Sequence, residues 1–117
     1  VNELLFIEQG TDQPIVATDV RIDGQLVDMT GWSVRAVIRQ GSTDGPVVAE
    51  WSSDPTGSQG QATAGNGTVS LEITPDMSSA WTWRYGVVQA EATEPGQGGR
   101  KARVIKKTVY LDPEAVI

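Results

Sequence analysis

The chain has 117 residues, of which 38% are hydrophobic and 21% charged, and a formal net charge of −6. This length suits a single domain over residues 1–117, the composition excludes a disordered segment, and the acidic balance argues against a nucleic-acid surface covering the whole molecule. Cysteine and histidine are both absent. That removes disulfide frameworks, thiolate and imidazole metal sites, and the commonest general bases and nucleophiles together.

In chain order, the opening VNELLFIEQG has an apolar patch but no basic lead and no small-residue cleavage site. No run approaches the roughly 18 apolar residues of a membrane span, so neither export nor insertion is signalled. Leu4 to Gln9 and Pro14 to Ile22 read as the first two strands, separated by the turn residues Gly10, Thr11 and Asp12. Asp23-Gly24 marks a hairpin or a strand-to-strand crossing. From Trp32 to Arg39 the alternation is that of a half-buried strand: Trp32, Val34, Ala36 and Ile38 face one way, Ser33, Arg35 and Arg39 the other, with Val37 as the exception.

Val47 to Trp51 is a further short strand, and Ser52 to Gly67, rich in Ser, Gly, Gln, Thr and Ala without an apolar period, reads as a long surface loop. Thr68 to Ile73 alternates again through Val69, Leu71 and Ile73, and Thr74 to Ala80 has room for one helical turn. The strand Trp81 to Ala90 places Trp81, Trp83, Tyr85 and Val87 on one face. A Gly-rich loop from Glu94 to Arg100 joins it to a last strand, Ala102 to Leu111. Seven or eight strands without a long helix imply two packed sheets or a small barrel. The core is expected to hold Trp32, Val34, Ile38, Val69, Leu71, Tyr85 and Val87.

No GxSxG elbow, phosphate loop or selective pair of carboxylates is present, so an enzyme is not expected and no cofactor is implied. Asp19, Asp23 and Asp28 match calcium-loop patterns poorly and read as turn residues, so no metal is expected. Asn66-Gly67-Thr68, formally a glycosylation sequon, reads as a turn. The four tryptophans can serve a core or a sugar-stacking surface. Trp32 belongs to the core, Trp81, Trp83 and Tyr85 crowd one face, and Trp51 is placed at an assembly surface.

Five of the nine basic residues, Arg100, Lys101, Arg103, Lys106 and Lys107, fall within eight positions near the C-terminus. This leaves the remainder acidic, a layout suited to docking on an acidic neighbour or to head-to-tail packing of copies. A nucleic-acid partner is not expected, because no aromatic residues interleave with the cations.

One stretch, Gly24-Gln25-Leu26-Val27-Asp28-Met29-Thr30-Gly31-Trp32-Ser33-Val34-Arg35-Ala36-Val37-Ile38-Arg39, resembles a segment of the small immunoglobulin-like β-sandwich domains in virion proteins of tailed bacteriophages. These are similar to the N-terminal domain of upper baseplate proteins. Gln9-Gly10-Thr11-Asp12, Gly67-Thr68-Val69-Ser70-Leu71, Trp83-Arg84-Tyr85-Gly86-Val87 and Asp112-Pro113 follow the same order. Met29 replaces the usual Leu, and both the Ser52 to Gly67 stretch and the basic last strand depart from the pattern. The resemblance implies an all-β fold, an immunoglobulin-like antiparallel β-sandwich of seven to eight strands. It further implies a virion protein assembled in the host bacterial cytoplasm, whose partners are other virion proteins and copies of itself, not a membrane or a small-molecule substrate. With no fibre or coiled coil attached, a capsid decoration protein on the major capsid lattice is expected ahead of a tail or baseplate component. A carbohydrate-binding module using Trp51 or the Trp81, Trp83 and Tyr85 row is the third expectation.

Overall fold

The computed structural model describes residues 3–8, 10, 14–22, 24–57, 59–96, 99 and 101–112. The strands are β1 (Glu3–Glu8), β2 (Ile15–Ala17), β3 (Arg21–Ile22), β4 (Gln25–Leu26), β5 (Ser33–Gln40), β6 (Val47–Ser52), β7 (Gly60–Ala64), β8 (Val69–Leu71), β9 (Tyr85–Thr93) and β10 (Lys101–Asp112). One short helix, α1 (Pro75–Ser79), precedes β9. Eight strands form one curled sheet in the order β1-β10-β9-β5-β6-β7-β8-β2, and β3 and β4 form a separate hairpin.

The chain is thus mostly β, but the wholly antiparallel sandwich is corrected. β1 runs parallel to β10, and β6 runs parallel to β7. The β6–β7 link has only two register pairs, Trp51↔Gly60 and Ser52↔Gln61, yet it makes the hydrogen bonding continuous from a long arm (β1-β10-β9-β5-β6) to a short arm (β7-β8-β2). The sheet closes halfway toward a barrel. Turn residues announce antiparallel neighbours; a parallel partner at the opposite end of the chain leaves no such local mark.

Alternation builds the core between the arms. Val34, Ala36 and Ile38 of β5 and Val88, Ala90 and Ala92 of β9 are buried, as are Ile15, Ala62, Val69 and Leu71 of the short arm. Each fully buried Val, Leu or Ile contributes about 1.5–3 kcal/mol relative to exposure. Trp32 and Met29 close one flank. Helix α1 starts where Thr74 caps it, its hydroxyl accepting from the Met77 N–H at 3.2 Å, with Pro75 in the first turn.

Two sequence segments fold otherwise than expected. Pro14 to Ile22 is not one strand, because Asp19 takes a left-handed φ of 57° between β2 and β3 and pairs with Arg21 at 3.0 Å. The Ser52 to Gly67 stretch is not loop throughout, since it contains β7. Its inward side chains are Ala62, buried, and Ala64, partly buried, too small to produce an apolar period. β3 and β4 pair as an antiparallel hairpin, with Gly24 between them at φ +80° where a side chain would be strained.

Gly60 is required for a different reason. A Cβ there would lie 2.6 Å from Trp51 Cδ1 and 2.7 Å from Met77 Cε. Gly60→Ala is therefore expected to destabilise the domain by about 1–3 kcal/mol through overpacking, read as a lower urea midpoint at unchanged m. An unshifted midpoint would mean that the Trp51 ring yields freely.

Exposed Asp28 accepts hydrogen bonds from the Thr30 hydroxyl at 2.6 Å and the Thr30 N–H at 3.0 Å. These bonds, the hydroxyl's first, hold its carboxyl below the usual carboxylate range. A depressed folded-state pKa contributes stability that is present above the unfolded-state value and is lost as pH falls through the folded one. The turn is thus at full strength near neutrality and weakens only in acid. Thr30→Val is expected to raise the Asp28 pKa in a carboxyl NMR titration, and an unmoved titration would refute the hydroxyl's part.

Candidate functional site: the outer face of the long arm

The outer face follows from the same alternation that fills the core. With Val34, Ala36 and Ile38 inward, β5 turns Ser33, Arg35, Val37 and Arg39 outward. On β9 the buried phase is Gly86, Val88, Ala90 and Ala92, so Tyr85, Val87, Gln89 and Glu91 lie on the other face. β10 changes phase at a bulge between Arg103 and Ile105: Ala102 is buried before it, Ile105, Val109 and Leu111 after it. Lys101 and Arg103 before the bulge therefore share the outer face with Lys106, Thr108 and Tyr110 beyond it.

Register then sets the outer residues in rows. Phe6, Tyr110 and Tyr85 stand side by side on β1, β10 and β9. Phe6 stacks on Tyr110 with centroids 5.7 Å apart, and Tyr85 tilts against Tyr110 at 5.1 Å. All three are exposed, at 59%, 40% and 39% for Phe6, Tyr110 and Tyr85. Toward the bulge, Lys106 pairs with Gln89, which faces Val37. Beyond it Arg103, Glu91 and Arg35 stand abreast.

The cations are available. Among the described residues the side chains of Arg35, Arg103 and Lys106 make no ion pair or hydrogen bond, and Lys101 reaches Glu91 only at 3.9 Å in an exposed pair, a contact of little energetic weight. Arg35, Arg103, Gln89 and Glu91 border a shallow depression of about 280 Å³. The face thus has an aromatic end and a cationic end, about 20 Å apart along β10 at a strand's rise per residue.

The structure sorts the basic residues expected to mediate assembly. Lys101, Arg103 and Lys106 share the outer face. Lys107 does not: it is half-buried opposite buried Val88, because adjacent strand positions point to opposite sides. Arg100 lies outside the described residues.

Trp51 is corrected from surface to core. It is 1% exposed, and its Nε1–H donates to the Glu72 carbonyl at 2.7 Å. It meets Trp81 edge-on at 6.3 Å, and Trp81 contacts Trp83 at 5.2 Å. Trp32, Trp81 and Trp83 are buried as well, so the tryptophans form no exposed stacking row, although the edge of Trp81 lines a groove beside β6. Tyr85 and Val87 are corrected the other way: Tyr85 is exposed and Val87 only half-buried. Residues 81–84 precede β9 rather than belonging to it, and the period extrapolated from Trp81 and Trp83 arrives out of phase. The remaining core residues, Trp32, Val34, Ile38, Val69 and Leu71, are buried.

Phe6 and Tyr110 went unremarked in the sequence, although each alternates with inward residues, Ile7 in β1 and Val109 and Leu111 in β10. Asp19 and Asp28 serve Arg21 and Thr30 locally, and Asp23 lies outside the described residues.

Fold and face together define a mostly-β domain with an exposed aromatic and cationic sheet surface. No known family model matches the chain, and no curated protein matches it.

Proposed function

We propose that this chain is a structural protein of a bacteriophage virion, specifically a capsid decoration protein that binds and reinforces the major capsid lattice. The observation that carries the reading is the outer face: three exposed aromatic rings in a contacting row and three cations without an ion pair among the described residues, on one side of a continuous sheet. Aromatic rings and arginines are the residues that dominate protein docking energies, and cations add steering toward an acidic partner. An open sheet face of this kind suits a neighbouring protein shell better than a small ligand, which is normally enclosed.

Strand order supports the immunoglobulin-like part of the resemblance. In the short arm β2, β8 and β7 take the places of strands B, E and D, and in the long arm β5, β9 and β10 take those of C, F and G. The proposed fold is thus an immunoglobulin-like sandwich whose two layers are joined through the short β6–β7 pairing.

Mixing the purified chain with expanded phage heads tests the function. Saturable binding in fixed stoichiometry, weakened by added salt as solvent-exposed charges require, is the expected result. Failure to label heads, with copurification on isolated tails, would overturn decoration in favour of a tail or baseplate position.

A further inference from the structure

A second surface lies at the seam between the arms. Because β6 pairs with β7 only at Trp51 and Ser52, the first part of β6 separates from the short arm, and a groove of about 770 Å³ opens between β6, β7 and α1. Val47, Val48, Met77 and Trp81 give it apolar walls, and its charged lining residues are Glu50 and Glu72, with no lysine or arginine.

The groove also has a backbone edge. In an antiparallel ladder, successive residues turn their N–H and C=O groups alternately toward and away from the partner strand. The Ser53 N–H donates to the Val34 carbonyl at 2.9 Å, so the same alternation turns the Glu50 backbone groups away from β5: its carbonyl toward Gly60 in the β6–β7 pairing, its N–H toward the groove. A strand end with an outward N–H beside apolar walls is where an extended peptide can add to a sheet.

We infer that this groove accepts an extended, basic segment of another polypeptide, which adds as a strand beside Val47–Glu50, places apolar side chains against Met77 and Trp81, and sets lysines or arginines against Glu50 and Glu72. The occupant's charge follows from the lining, where both carboxylates await cations; Glu50 otherwise receives only the Gln59 amide, at 3.2 Å. The site lies apart from the outer face and stands whether or not that face binds a capsid.

The test uses the whole chain and two capped octapeptides, one alternating valine with lysine and one valine with glutamate, with binding followed by backbone and indole NMR shifts. The lysine peptide is expected to shift the amides of Val47–Glu50 and the Trp81 indole, and to bind about tenfold or more tightly than the glutamate peptide. The double variant Glu50→Gln/Glu72→Gln is expected to weaken it about tenfold, and Ala80→Trp, which fills the groove from its exposed rim, to abolish it with the remaining spectrum unchanged. Equal affinity for both peptides, shifts centred on the outer face, indifference to both variants, or no binding at about 1 mM would each overturn the inference.

Discussion

Trp51→Ala is expected to cost about 3–5 kcal/mol, the range for truncating a large buried aromatic. That is a large share of the roughly 5–15 kcal/mol by which such domains are stable. Three losses combine at this position: the indole leaves a cavity where the two arms join, the Glu72 carbonyl loses its donor at 2.7 Å, and the edge-on contact with Trp81 disappears. Gly60 lies directly under the ring, so the only register pairs tying β6 to β7 lose their support as well. The check is urea unfolding of Trp51→Ala beside Tyr85→Ala, whose exposed ring should contribute about 1 kcal/mol or less. A Trp51 variant of nearly normal stability that fails to bind heads would return this ring to the assembly surface.

On the outer face the expected pattern is the reverse: binding lost, folding kept. Tyr110→Ala removes the central ring of the exposed cluster and Phe6→Ala its most exposed one, and each should weaken head binding by about 2 kcal/mol or more, roughly thirtyfold, if the cluster is the anchor of the contact. Arg35→Glu/Arg103→Glu should also reduce the salt dependence of binding, because their side chains have no ion pair among the described residues. Thermal midpoints are expected to stay within a few degrees of the parent for all of them, in keeping with about 0.5 kcal/mol for surface changes. The two adjacent lysines divide: Lys106→Glu acts on binding alone, whereas Lys107→Glu places a carboxylate beside Val88 and acts on stability. Loss of binding only in variants that also unfold would mean that the face has no contact role.

Much of this architecture was legible in the residues. The alternation of Val34, Ala36 and Ile38, the capped turn at Thr74 and Pro75, the β3–β4 hairpin at Gly24 and the final β9–β10 pair all leave local marks, because a strand's period, a cap and a turn are short-range physics. What escaped is what long-range packing decides. β7 presents only the alanines Ala62 and Ala64 to the core, and methyl groups give no periodic signal. The phase of β9 is set by its pairing with β5 and β10, so the large rings of Trp81 and Trp83, which lie before the strand, misassigned Tyr85 to the interior. The bulge after Arg103 brings Lys101, Arg103, Lys106 and Tyr110 to one side, a regrouping that simple alternation does not foresee. The aromatic cluster itself exists only because β1 and β10, from opposite ends of the chain, run parallel in the register Phe6↔Tyr110.

A reconstruction of decorated phage heads by electron cryomicroscopy, with this chain fitted into its density, bears most directly on the proposal. Phe6, Tyr85, Tyr110, Arg35 and Arg103 should lie against the shell, facing acidic residues of the major capsid protein, while β2 and β8 point away. A domain seated on the shell through its short arm, or found only in the tail, would contradict it.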